Sequence, residues 1–88
     1  MSDITFAQDA FNEYLYWQTQ DKKTLKKINA LLKDIQRDPF GGEGKPEPLK
    51  GDMAGLWSRR INDKDRLVYQ VNEQGIIVVQ CKGHYDDK

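Results

Sequence analysis

Residues 56–83 read LWSRRINDKDRLVYQVNEQGIIVVQCKG, and this stretch decides the fold. It holds three runs suited to strands: LWSRRI at 56–61, RLVYQV at 66–71 and GIIVVQCKG at 75–83. Between them lie Asn62-Asp63-Lys64-Asp65 and Asn72-Glu73-Gln74-Gly75, whose composition favours tight turns. Two hairpins in succession predict an antiparallel meander. Side chains alternate across a strand. Leu67, Tyr69 and Val71 therefore share one face, and Ile77, Val79 and Cys81 are expected on the core side of the last strand. Cys81, the only cysteine, reads as a small core hydrophobe. Gln80, Lys82 and His84 then fall on the opposite, open side. Arg66 keeps register with Val68 and Gln70, and Arg60 with Ser58. The open face thus gathers Arg60, Arg66, Lys82 and His84, the only histidine in the chain. Several cations and one imidazole on a single sheet face resemble a site more than a solvated surface.

Upstream, Ile4-Thr5-Phe6 suits a brief strand. Residues 7–18 then place Ala7, Ala10, Phe11, Tyr14 and Leu15 at helical spacing, as a core-facing stripe. Asp21 is a good N-cap for a second helix. In that helix Leu25, Ile28, Leu32 and Ile35 form one stripe, widened by Leu31. Lys22, Lys23, Lys26, Lys27 and Lys33 fall mostly on the other side. They make either a solvated face or a surface for an RNA backbone. Pro39 ends the helix. The expected fold is α+β, two N-terminal helices packed on a small antiparallel sheet.

Residues 38–55, DPFGGEGKPEPLKGDMAG, carry all three prolines and five of the seven glycines. A connection this long is usually functional or disordered. Within it Glu47 sits between Pro46 and Pro48. Pro46 fixes its own φ and Pro48 biases Glu47 toward extended backbone, so the carboxylate costs less to order than one on a floppy loop.

The 88 residues fit a single domain, 1–88. Formal net charge is zero, which argues against a general nucleic-acid coat protein but permits a local basic patch. The single cysteine excludes an internal disulfide and fits an intracellular, cytoplasmic setting. The N-terminus lacks the pattern of a signal peptide, and no apolar run reaches membrane-spanning length, so no membrane partner is expected.

GKPEPLK at 44–50, LWSRRI at 56–61, RLVY at 66–69 and the terminal C-x-x-H-Y at 81–85 together resemble the YoeB (Txe) toxins of the RelE superfamily. The likeness extends to YLYWQ at 14–18 and KKIN at 26–29. These are toxic halves of type II toxin–antitoxin pairs. The resemblance implies a RelE-like, microbial-ribonuclease-like fold and a ribosome-dependent mRNA endoribonuclease that cuts in the decoding A site and so inhibits translation. It implies a YefM/Axe-like antitoxin, the 70S ribosome and mRNA as partners, and a homodimer as in many family members. Carried over, Glu47 matches the general base, His84 the general acid, Arg66 the phosphate-stabilising arginine and Tyr85 the aromatic that orients the RNA. Lys50 and Arg60 match accessory basic positions, and Arg59 joins them as a substrate-binding candidate. Lys22, Lys23, Lys26, Lys27 and Lys33 become the ribosome-facing set. The tail Asp86-Asp87-Lys88 extends past the point where the family typically stops.

The chemistry of these residue types is consistent with that reading. RNA supplies its own nucleophile, the ribose 2′-OH. A carboxylate can take the 2′ proton, and an imidazolium with an unperturbed pKa of about 6.5 can protonate the leaving 5′-oxygen. Arginine offers bidentate contacts to phosphate, and a tyrosine ring can stack on a splayed base. No cofactor is called for, and the sequence has no ligand spacing that suggests a metal. The rival readings are a toxin of the same fold with another target and an interaction module that binds a partner without cutting RNA.

Overall fold

The computed structural model describes residues 3–84. Tyr85 and the Asp86-Asp87-Lys88 tail therefore lie outside the described residues. The described chain runs β1 (Asp3–Phe6), α1 (Gln8–Gln20), α2 (Lys22–Arg37), β2 (Glu47–Pro48), β3 (Leu56–Arg60), β4 (Arg66–Asn72) and β5 (Gly75–Gln80). The strands form one sheet in the order β1-β5-β4-β3-β2. The β2–β3, β3–β4 and β4–β5 pairs are antiparallel, as the meander requires. β1 adds to β5 in parallel, so the sheet is mixed rather than wholly antiparallel.

Both hairpin turns use the same device. Asn62 Oδ1 accepts from the amides of Lys64 and Asp65, and Asn72 Oδ1 accepts from those of Gln74 and Gly75. An asparagine side chain thus replaces a backbone acceptor at each reversal. Gly75 has φ +142°, and a Cβ there would lie 2.4 Å from the Asp3 carbonyl oxygen. Only glycine admits β1 that close.

α2 forms as its sequence predicts. The Asp21 carboxylate caps the Thr24 amide at 3.1 Å, and Ile28, Leu31, Leu32 and Ile35 are buried. α1 departs from expectation. Ala10 and Trp17 are its buried residues, whereas Phe11 and Leu15 are more than two-fifths exposed. The reason is Trp17: its indole N–H donates to the Cys81 carbonyl at 2.9 Å, which rotates the helix to bury the larger ring. The core joins these helix residues to Leu67, Tyr69, Ile76, Val78 and Cys81.

The facing of β5 also differs. Ile76 and Val78 are fully buried, while Ile77 and Val79 are only partly covered. A bulge explains it: Tyr69 pairs with Val78, but Val68 pairs with Gln80, leaving Val79 as the extra residue. One inserted residue switches the faces. Cys81 is therefore core and Gln80 lies on the other face, as strict alternation had placed them, although residues 76–79 are inverted.

Candidate active site on the sheet face away from the helices

Register places the polar residues. Glu47 stands opposite Ser58, Ser58 opposite Val68, and Val68 opposite Gln80, a row crossing four strands. Arg60 and Arg66 pair in a parallel row two residues along. All six residues lie on the face away from Leu67 and Tyr69, hence away from the helices. Ser58 and Val68 are buried and make the floor, while Glu47 and Arg60 are exposed at its rim. Two strand spacings separate the Glu47 and Val68 backbones, roughly 10 Å, enough for one nucleotide unit between them.

Glu47 reaches this row because 47–48 is a short edge strand, not only a stiff loop. Lys45, at φ 52°, turns the chain into Pro46, and Leu49 N–H closes on the Leu56 carbonyl at 2.9 Å. Lys50 is exposed next to it and receives the Met53 amide on its carbonyl.

Arg66 is half-buried. Its Nη1 donates to the carbonyls of Asn62 at 2.6 Å and Asp65 at 3.2 Å, which folds the guanidinium over the β3–β4 turn. Its backbone amide donates to the Gly83 carbonyl at 2.9 Å. His84 thus follows directly from a residue bonded to Arg66, and it is partly buried. Gly83 has φ +82°, a turn that glycine makes without strain. Lys82 does not join this face. It lies past the end of β5, where alternation no longer holds, and its Nζ lies 4.9 Å from the centroid of the Tyr16 ring on α1.

Arg59 is a correction. It is fully buried and cannot touch a substrate. Alternation turns it toward the helices, where Nη1 meets Asp34 Oδ2 at 2.6 Å and the Glu43 carbonyl at 3.0 Å. Nη2 donates to the carbonyls of Asp38 and Gly41, and Nε donates to the Tyr69 hydroxyl at 3.1 Å. Tyr69 in turn donates to the Pro39 carbonyl. This one guanidinium fastens the glycine-rich loop to α2 and the sheet. The Asp34 carboxyl is held well below the usual carboxylate range, first by the Glu43 amide and then by Arg37 and Arg59. Burial pushes the Tyr69 hydroxyl up, and it pushes the Cys81 thiol up to about 12, which leaves that thiol a packing group.

Lys22, Lys23, Lys26, Lys27 and Lys33 are all exposed on α2, around the side opposite its buried stripe. They face away from the sheet, so the structure does not bring them to the Glu47–Arg66 face. No group of three or more His, Cys, Asp or Glu side chains able to hold a metal occurs among the described residues.

A sequence profile of YoeB-like toxins of bacterial type II toxin–antitoxin systems matches residues 6–85. The chain belongs to the YoeB toxin family. It is 48% identical to Toxin YoeB of Escherichia coli K12 over 82 residues, 93% of this chain and 98% of that one. The YoeB/ParE toxin from Agrobacterium tumefaciens superposes with TM-score 0.92 at 46% identity, covering 97% and 100% of the two chains. A YoeB–YefM complex from Staphylococcus aureus contains a chain with TM-score 0.88 at 49% identity, covering 97% and 99%. A YoeB from the same species is also solved as a dimer. The fold expected for a YoeB-family chain, two helices on one face of the sheet, is the fold found here.

Proposed function

We propose that this YoeB-family toxin is a ribosome-dependent endoribonuclease that cuts mRNA in the A site and so blocks translation. The observation carrying the proposal is the register that puts Glu47, opposite Ser58, on the same sheet face as the Arg60–Arg66 pair, with the Gly83 carbonyl, one residue before His84, bonded to the Arg66 amide. In this reading Glu47 removes the proton of the 2′-OH, whose oxygen bonds to the adjacent phosphorus. The bond from phosphorus to the 5′-oxygen breaks, and His84 protonates that leaving oxygen. The products are a 2′,3′-cyclic phosphate and a 5′-hydroxyl. Arg66, with Arg60 and Lys50, offsets charge on the phosphorane, and Tyr85 stacks on a base. Because the nucleophile belongs to the substrate, the step requires no metal-activated water.

The YefM bound to the Staphylococcus aureus relative supports a YefM-like antitoxin as partner here, and the dimeric relative supports a homodimer. No described helix is long and apolar enough to cross a membrane. Ribosomes and mRNA would be met in the cytoplasm, where we place the protein.

The test is cleavage of message on programmed ribosomes. Glu47→Ala and His84→Ala are each expected to lower the rate by about 10²–10⁴-fold, the usual contribution of a positioned acid or base. Arg66→Ala is expected to cost on the order of 10²–10³-fold. Parent-like cleavage by folded His84→Ala would overturn the assignment, and intact message with the parent protein would favour a toxin that binds without cutting.

A further inference from the structure

Short chain ends fray unless something ties them down. Residues 81–83 are tied at both of their outer peptide groups. Cys81 N–H donates to Glu13 Oε1 at 2.8 Å, and Cys81 C=O accepts from the Trp17 indole at 2.9 Å. Gly83 N–H donates to Asp65 Oδ1 at 2.8 Å. Gly83 C=O accepts from the Arg66 amide at 2.9 Å and from Gln80 Nε2 at 3.0 Å. The neighbouring residues Asp65 and Arg66 therefore grip the two sides of Gly83, one by side chain and one by backbone.

Asp65 is not explained by its turn. The turn itself is closed by Asn62 Oδ1, which takes the amides of Lys64 and Asp65. Asp65 is nonetheless only 3% exposed, and a buried carboxylate is costly without partners. Both its oxygens are engaged: Oδ1 by Gly83 N–H and Oδ2 by Asn62 Nδ2 at 3.0 Å. The Asn62 amide cannot turn round, because its oxygen is committed to the turn. A two-sided acceptor is needed at position 65, and the carboxylate supplies it.

We propose that Asp65 is a positioning residue for His84, acting through the Gly83 amide to fix the backbone that leads directly into His84. This rests on the reading of His84 as general acid. Asp65 touches neither RNA nor reacting atoms. Its effect is on the placement of the acid, and a misplacement of about 1 Å can cost on the order of 10²-fold in rate. In sequence Asp65 reads as turn chemistry like Asp63, and its burial and the contact across 18 positions to Gly83 separate the two.

The experiment compares parent, Asp65→Ala, Asp65→Asn, His84→Ala and Asp65→Ala/His84→Ala on programmed ribosomes, with hydrogen exchange of the Gly83 amide. Asp65→Ala is expected to lower kcat by roughly 10–100-fold with KM unchanged. Asp65→Asn keeps the shape but can accept on one side only, so its loss is smaller. In the His84→Ala background the alanine at 65 is expected to add nothing, the mark of residues acting as one unit. The Gly83 amide is expected to exchange faster in both Asp65 variants while Tyr69 and Val78 stay protected. An equal further loss in the His84→Ala background, a change in KM alone, or an unchanged Gly83 exchange rate would each overturn the proposal. Parent-like cleavage by His84→Ala alone would instead remove the reading beneath it. Should Asp65→Ala fail to fold, Asp65→Asn carries the kinetic and exchange comparisons.

Discussion

Arg59 and Arg60 are adjacent in sequence and opposite in role. Arg59 is sealed among five oxygen acceptors, and Arg60 stands exposed, its backbone amide donating to the Gly44 carbonyl at 2.7 Å. Removing a buried charge strands its partners, so Arg59→Ala is expected to destabilise the fold by about 3–5 kcal/mol. That is a large part of the roughly 5–15 kcal/mol typical of a whole domain. Arg60→Ala is expected to leave the denaturation midpoint nearly unchanged and to slow ribosomal cleavage roughly 10–100-fold, the contribution of one charged hydrogen bond. Urea titration of the two variants beside their cleavage rates checks the contrast. A stable Arg59→Ala protein would contradict the loop-fastening role. The sequence resemblance groups both arginines as basic, and only the parity of β3 tells them apart.

At the scale of elements, α1 meets the C-terminal arm through Glu13 and Trp17. Burial raises the Glu13 carboxyl, opposed by its hydrogen bond from Cys81 and by Lys82. A folded-state value above the unfolded one means that the protonated form favours folding. Glu13 therefore contributes fully below about pH 4, and that contribution is lost as pH rises through the raised value. Glutamine keeps an oxygen for the Cys81 amide without the charge. Glu13→Gln is expected to raise the denaturation midpoint at pH 7 and to match the parent at pH 4; a loss of stability at pH 7 would contradict the account. Asp34 acts in the opposite sense: its lowered value gives stability above about pH 4 that fades as pH falls further. The same scale shows what the sequence made legible. The α2 stripe, the Asp21 cap, both Asn-led turns and the core face of β4 follow from local pattern. The facing of Ile76–Val79 did not, because a bulge is a property of the paired strands and not of either alone. Nor did the burial of Trp17 over Leu15, since a partner 64 positions away decides it. Glu47 was legible as an extended residue between prolines, but its place in a strand beside Ser58 required the sheet.

The whole molecule divides its surfaces. The sheet face away from the helices holds Glu47, Arg60 and Arg66, and the outer side of α2 holds the lysines. With zero net charge, long-range attraction cannot gather RNA as it does for a basic nuclease. Separate local patches instead suit docking on one fixed rRNA surface while a held codon meets the other. In-line attack needs the 2′-oxygen, phosphorus and 5′-oxygen aligned, and an immobilised codon supplies much of that orientation. Free message is accordingly expected to be cut far more slowly than message in a programmed A site. The central claim is that the substrate's own 2′-OH is the nucleophile, with Glu47 and His84 moving the protons. End-group analysis of message cut on programmed ribosomes measures this most directly. The account predicts an upstream fragment ending in a 2′,3′-cyclic phosphate, or the 3′-phosphate formed from it, and a downstream fragment beginning with a 5′-hydroxyl. A 5′-phosphate on the downstream fragment would contradict it.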